Sequence, residues 1–249
     1  MRNIFFMIPV ILLGYSTAFA GDTIRMGTEG AYPPYNYIDD DGNLAGFEII
    51  LGNELCARAN LTCEWVKNDW DSIIPNLVSG NYDTIIAGMS ITAERDKVID
   101  FTQNYMLPRP SAYVAASEDV DLSGVISAQT ATLQAGYIAE SGSTLIEFAT
   151  PDETISAVLD GEADAVFADY DYLAPIVEAS NGDLMFVGDQ VVLGLGTGMG
   201  IRESDTELKA KFNQAITSMK EDGSLNKLLI EWFGEGIFCL LYTSDAADE

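Results

Sequence analysis

The sequence predicts an α/β protein with parallel-rich sheets, and three observations carry that expectation. Short apolar strands alternate with helical segments throughout; two helix starts are marked by caps; and about 215 residues between an apolar leader and an irregular tail suffice for one large domain or two lobes. Thr23 to Gly27 reads as the first strand. Phe47 to Ala59 reads as a helix with Phe47, Ile50, Leu51 and Leu55 on one face, and Asp71 to Ser79 as a second. Tyr82 to Ile86 is a buried strand, after which Thr92 is placed to cap a helix over Ala93 to Val98. Helix and strand signals both lapse at Pro108-Arg109-Pro110, a possible lobe boundary, and Ser111 to Ala115 then reads as an extended crossing. Val125 to Ala128, Ala163 to Ala168 and Leu184 to Val187 are the later strands. Thr150-Pro151-Asp152-Glu153 combines a cap, a proline at the first helical position and a capping-box glutamate, and Ser204-Asp205-Thr206-Glu207 repeats the box. A second boundary falls in the run from Gly194 to Gly200. That run lacks the Lys-Ser/Thr or Gly-x-Gly-x-x-Gly spacing of a nucleotide site, so its glycines are assigned to a hinge or a closely approached backbone.

Residues 1-20 read as a signal peptide. Arg2 precedes an apolar run from Ile4 to Leu13, and Ala18-Phe19-Ala20 supplies the small-x-small cleavage pattern. The run is too short to span roughly 30 Å of hydrocarbon. With no lipobox cysteine, the expected destination is a Gram-negative periplasm, with free secretion as second choice. An oxidising compartment favours a local disulfide between Cys56 and Cys63; zinc is excluded because the chain has no histidine and two thiolates do not complete a four-ligand site. No metal and no cofactor are expected. Residues 237-249, including Cys239, lack apolar periodicity and read as a disordered or non-native tail. Acidic residues outnumber basic ones 39 to 12, a formal charge of −27, which excludes nucleic acid as a partner and would draw cationic small molecules inward.

The run Ala87-Gly88-Met89-Ser90-Ile91-Thr92-Ala93-Glu94-Arg95 sets a glycine turn, two hydroxyls and an arginine between a strand and a helix. A helix N-terminus offers unpaired N–H groups, and a guanidinium fork matches a carboxylate in two parallel hydrogen bonds. The plain alternative is an ordinary turn with a surface arginine. Asp169 ends the strand from Ala163, where open α/β sheets bind ligands, and its plain alternative is a helix cap.

The run from Gly88 to Arg95, with Met26-Gly27-Thr28-Glu29-Gly30-Ala31-Tyr32-Pro33-Pro34-Tyr35, Gly42 to Ile49, Ile99-Asp100-Phe101-Thr102 and the closing Asp222 to Gly234, resembles the polar amino-acid binding proteins of ABC importers, closest to the lysine/arginine/ornithine/histidine/opine branch. The resemblance spans roughly residues 22 to 236. It implies a two-lobed periplasmic binding protein fold (type II) with two hinge crossings: lobe 1 from 21-109 and 195-236, lobe 2 from 110-194. It also implies roles. Tyr32 and Trp70 would stack on the ligand side chain; Ser90 and Arg95 would hold its α-carboxylate, with Thr132 adding a contact; the backbone at Gly88 and the carboxylate of Asp169 would take the α-ammonium; Glu29 would face a cationic side-chain end. Ala87 stands where some cationic binders have serine, and Gln129-Thr130-Ala131-Thr132 where the family usually shows Gln-x-Gly-Thr.

The expected function is capture of a polar, cationic amino acid by a monomer that delivers it to an inner-membrane ABC permease. The alternatives are an enzyme on the same scaffold, a cyclic amino-acid dehydratase with Glu29 or Asp169 as general acid, and a ligand-sensing module.

Overall fold

The computed structural model describes residues 23–234, so the leader and the tail with Cys239 lie outside the described residues. The chain begins with β1 (Ile24–Thr28), β2 (Ala31–Tyr32), β3 (Asn36–Ile38) and β4 (Leu44–Ala45), then α1 (Phe47–Arg58) and β5 (Cys63–Lys67). A single 3₁₀ turn, Trp70–Ser72, leads into α2 (Ile73–Val78), followed by β6 (Thr84–Ile85) and β7 (Asp100–Phe101). Then come β8 (Pro110–Ala115), β9 (Val125–Gln129), α3 (Leu133–Ser141), β10 (Thr144–Phe148), α4 (Pro151–Leu159), β11 (Ala165–Asp169), α5 (Tyr170–Ala179) and β12 (Met185–Val192). The chain closes with β13 (Gly200–Ile201), α6 (Thr206–Glu221) and α7 (Ser224–Phe233).

Two five-stranded sheets result, ordered β5-β1-β6-β13-β7 and β10-β9-β11-β8-β12, with β2-β3-β4 as a small separate sheet. In the first, β5, β1 and β6 run parallel and β13 is antiparallel to both its neighbours. In the second, β10, β9 and β11 are parallel while β8 is antiparallel to β11 and β12. Helices cover the sheets because a half-apolar helix and an apolar strand each need a partner surface. Phe47, Leu51 and Leu55 of α1 pack with Phe212 and Ile216 of α6 and Leu225 and Leu229 of α7; Ile73 and Leu77 of α2 pack with Tyr82, Ile85 and Ile99.

The chain leaves the first sheet after Phe101 and returns at Gly200, and the two crossings lie side by side: Tyr105 N–H donates to the Thr197 carbonyl and Thr197 N–H to Met106, each at 2.9 Å. Gly196 is required there. Its φ is +98°, and a Cβ would stand 2.6 Å from the Met106 carbonyl oxygen.

Four sequence expectations change. The segment after Thr92 is not a helix but one 3₁₀ turn, Arg95–Lys97, because the chain must re-enter the sheet at Asp100; Thr92 Oγ1 still accepts the Arg95 N–H at 3.1 Å. Thr150 forms the full capping box with Glu153, whereas the box at Ser204 does not form: α6 has Asp205 at its N-cap, one residue later, and the Ser204 hydroxyl donates to Asp205 Oδ1 at 2.9 Å. Ile50 is 47% exposed: the buried arc of α1 turns toward Glu48, Gly52 and Cys56. Finally, the strand at Tyr82 to Ile86 shortens to Thr84–Ile85. Cys56 and Cys63 form a disulfide, joining α1 to β5. Among the described residues no helix is long and apolar enough to cross a membrane.

Candidate functional site

The carboxyl ends of β1, β5 and β6 from one sheet and of β9 and β11 from the other face a common cleft of about 370 Å³, its mouth included. All nine residues singled out from the sequence line it: Glu29, Tyr32, Trp70, Ala87, Gly88, Ser90, Arg95, Thr132 and Asp169, together with Gln129, Leu133 and Gln134.

Arg95 enters from the turn after β6. Its Nη1 donates to the Ser90 carbonyl at 2.9 Å and its Nη2 to the Ala131 carbonyl at 3.2 Å, so the guanidinium is aimed by backbone oxygens. The guanidinium carbon lies 5.2 Å from the centre of the Trp70 ring. Burial pushes its pKa down to about 10, which leaves it charged at neutral pH. Trp70 is nine-tenths buried and its Nε1 has no hydrogen-bond partner.

Asp169 sits at the N-cap position of α5 but makes no cap bond. Its Oδ2 accepts from the Tyr32 hydroxyl at 2.9 Å and its Oδ1 from Gln134 Nε2 at 3.0 Å, so the helix-cap alternative does not describe it. Burial pushes this carboxyl up to about 6, against the pull of the Tyr32 hydrogen bond. Tyr32 stacks on Tyr172 with centroids 4.5 Å apart and planes within 10°. Gln134 is braced in turn by Ser111 Oγ at 2.9 Å.

Glu29, 5% exposed, accepts a hydrogen bond from Gln129 Nε2 at 2.6 Å, and burial pushes it up to about 7. Gly88 holds φ at +62°, and its N–H turns away to Glu48 at 2.6 Å. Thr132 lines the cleft with its hydroxyl already committed: it donates to the Gln129 carbonyl at 2.6 Å and accepts the Ala135 N–H at 3.1 Å as the cap of α3.

Gln129 and Gln134 were not singled out from the sequence. Gln129 lay within a quoted motif, which was the one available signal; Gln134 carries no local pattern. The charge inventory of the cleft is one cation, Arg95, and two acids, Asp169 and Glu29.

The family sequence model of the bacterial extracellular solute-binding proteins, family 3, matches residues 24–235. The lysine/arginine/ornithine-binding periplasmic protein of Escherichia coli is 31% identical, covering 92% of this chain and 96% of its own. The L-arginine-binding protein of Pseudomonas aeruginosa is 32% identical over 91% and 94% of the two chains. The crystal structure of a periplasmic His/Glu/Gln/Arg/opine family-binding protein from Silicibacter pomeroyi, in complex with lysine, superposes with a TM-score of 0.86 at 72% identity, covering 88% of this chain and all of that one. With the two-sheet architecture and the cleft between their strand ends, these matches place the chain in the bacterial extracellular solute-binding proteins of family 3.

Proposed function

We propose that the chain binds a cationic amino acid of the arginine, lysine or ornithine type and hands it to an inner-membrane ABC permease. The observation that carries this reading is the charge count of the cleft. One guanidinium and two carboxylates are the complement of a ligand with one carboxylate and two cationic groups, and a charge taken from water into a cleft is stabilised only when it is paired. In this reading Arg95 and Ser90 hold the α-carboxylate, with a contact from Thr132; Asp169 and the backbone around Ala87 and Gly88 hold the α-ammonium; Tyr32 and Trp70 flank the aliphatic stem; and Glu29 faces the distal cation. The names of the Escherichia coli and Pseudomonas aeruginosa relatives, and the lysine complex of the Silicibacter pomeroyi protein, support the same ligand class.

Residues 21-109 with 195-236, and residues 110-194, act as two lobes that close on the ligand. This division is supported by the partition of strands between the sheets and by the paired crossings at Met106 and Thr197. The protein works as a monomer in the periplasm after cleavage behind Ala20, and it carries its ligand without altering it.

Titration calorimetry tests the reading. Arginine, lysine and ornithine should bind more tightly than glutamine, and glutamine more tightly than glutamate. Glu29→Gln should cost the cationic ligands about 10-fold and leave glutamine within about 3-fold, because only a distal cation loses its partner. Tighter binding of glutamate than of arginine defeats the specificity assignment, and recovery of a chemically altered ligand defeats the carrier assignment.

A further inference from the structure

Glu48 on α1 is wholly buried, and its partners are neutral donors. Oε1 accepts the Gly88 N–H at 2.6 Å and the Tyr105 hydroxyl; Oε2 accepts from Asn36 Nδ2 at 2.7 Å. Asn36 Oδ1 in turn accepts the Gly30 N–H at 2.7 Å. Burying a carboxylate beneath an apolar helix face is costly even with good hydrogen bonds, and an apolar side chain of similar volume would often be neutral or better for stability. Burial does push its pKa up, while the three donors work to keep it ionised.

One backbone group in this network belongs to the cleft wall, and the other adjoins a residue that does. Gly88 lines the cleft, and Gly30 follows Glu29. A Cβ at Gly88 would find nothing closer than 3.9 Å, so its φ of +62°, not lack of room, calls for glycine. In a trans peptide the N–H and the carbonyl point in opposite directions. With the Gly88 N–H held on Glu48, the Ala87 carbonyl of the same peptide faces the other way. An ammonium group carries three donors and no acceptor, so a wall that turned a free N–H toward it would repel it.

We propose that Glu48 is a positioning residue for the ligand's α-ammonium: it holds the Gly88 N–H inside the protein and leaves the acceptor side of the Ala87–Gly88 peptide to the ligand. The role rests on the amino-acid reading above and adds a residue that does not itself touch the ligand.

The test compares L-lysine with 6-aminohexanoate, which keeps the carboxylate and the distal ammonium but lacks the α-ammonium, by calorimetry on wild-type and Glu48→Met protein. The variant keeps the length of the side chain and removes both acceptors, the one that takes the Gly88 N–H included. Lysine should lose about 30-fold in affinity and 6-aminohexanoate under about 3-fold. Equal losses for the two ligands, or undiminished lysine binding, overturn the positioning role, since a purely structural carboxylate would weaken both alike. Should Glu48→Met not fold, amide hydrogen exchange on the wild-type protein decides: the Gly88 amide should be protected like those of the central strands, and exchange at the rate of an exposed loop overturns the proposal. Failure of wild-type protein to bind any cationic amino acid is a different result, which defeats the amino-acid reading itself and this role with it.

Discussion

Ala131 holds φ at +56°, in the left-handed region that a Cβ disfavours, and its carbonyl receives the Arg95 Nη2. A non-glycine residue there is strained by about 1 kcal/mol, which the surrounding contacts must offset. Ala131→Gly relieves the strain but gives the unfolded chain more freedom, so the net change in stability should be small, between about 0 and +1 kcal/mol. Chemical denaturation measures it, and a loss of more than about 1 kcal/mol would show that the methyl group packs usefully. The same scale shows what a sequence conveys about a site. Arg95, Asp169 and Tyr32 stood at positions where strand ends and turn chemistry mark a ligand site. Gln129 and Gln134 did not, because their partners Glu29 and Asp169 lie 100 and 35 residues away, and a hydrogen bond across that separation leaves no periodic trace.

Among the elements, those that depend on neighbours three or four residues apart were legible. The capping box at Thr150 is of this kind: every group it needs lies within four residues. The equivalent pattern at Ser204 misled because the helix starts one residue later and the Ser204 hydroxyl turns to Asp205, and the helix expected after Thr92 misled because β7 begins too soon. Equally illegible was the clamp on the first crossing, where Arg109 Nε and Nη2 each donate to Asp171 at 2.8 Å and the Tyr35 hydroxyl reaches the same carboxylate at 3.2 Å. At the junction of α1 and β5, the Cys56–Cys63 bridge closes a short loop. Replacing both cysteines by serine should destabilise the protein by about 2 to 3 kcal/mol, mainly by freeing the unfolded chain. Denaturant midpoints of the two forms check this, and equal midpoints would assign the bridge no stabilising role.

The whole molecule responds to pH through its two raised cleft acids. Asp169 titrates at about 6 and Glu29 at about 7 in the folded chain, above their ordinary values near 4. The folded state therefore holds protons that the unfolded state has released, and stability from this source is present at low pH and lost as pH rises through about 6 to 7. Ligand-free protein should melt at a higher temperature at pH 5 than at pH 8. A cationic ligand needs both carboxylates ionised, so the increment that saturating lysine adds to the melting temperature should grow as pH rises over the same interval. The Glu29→Gln, Asp169→Asn double variant should lose much of the pH dependence of the ligand-free form; if it keeps all of it, buried Glu48, whose carboxyl is also pushed up, and the general acidity of the chain are the cause. The place of β13 has a consequence for how the chain acquires this shape. Gly200 and Ile201 fill the gap between β6 and β7, strands made about a hundred residues earlier, whereas every strand of the second sheet lies within Pro110–Val192. During synthesis the later sheet can pair as soon as it is complete, but the earlier one must wait for a strand encoded after it. The amino-terminal half therefore cannot finish folding until most of the polypeptide has been made.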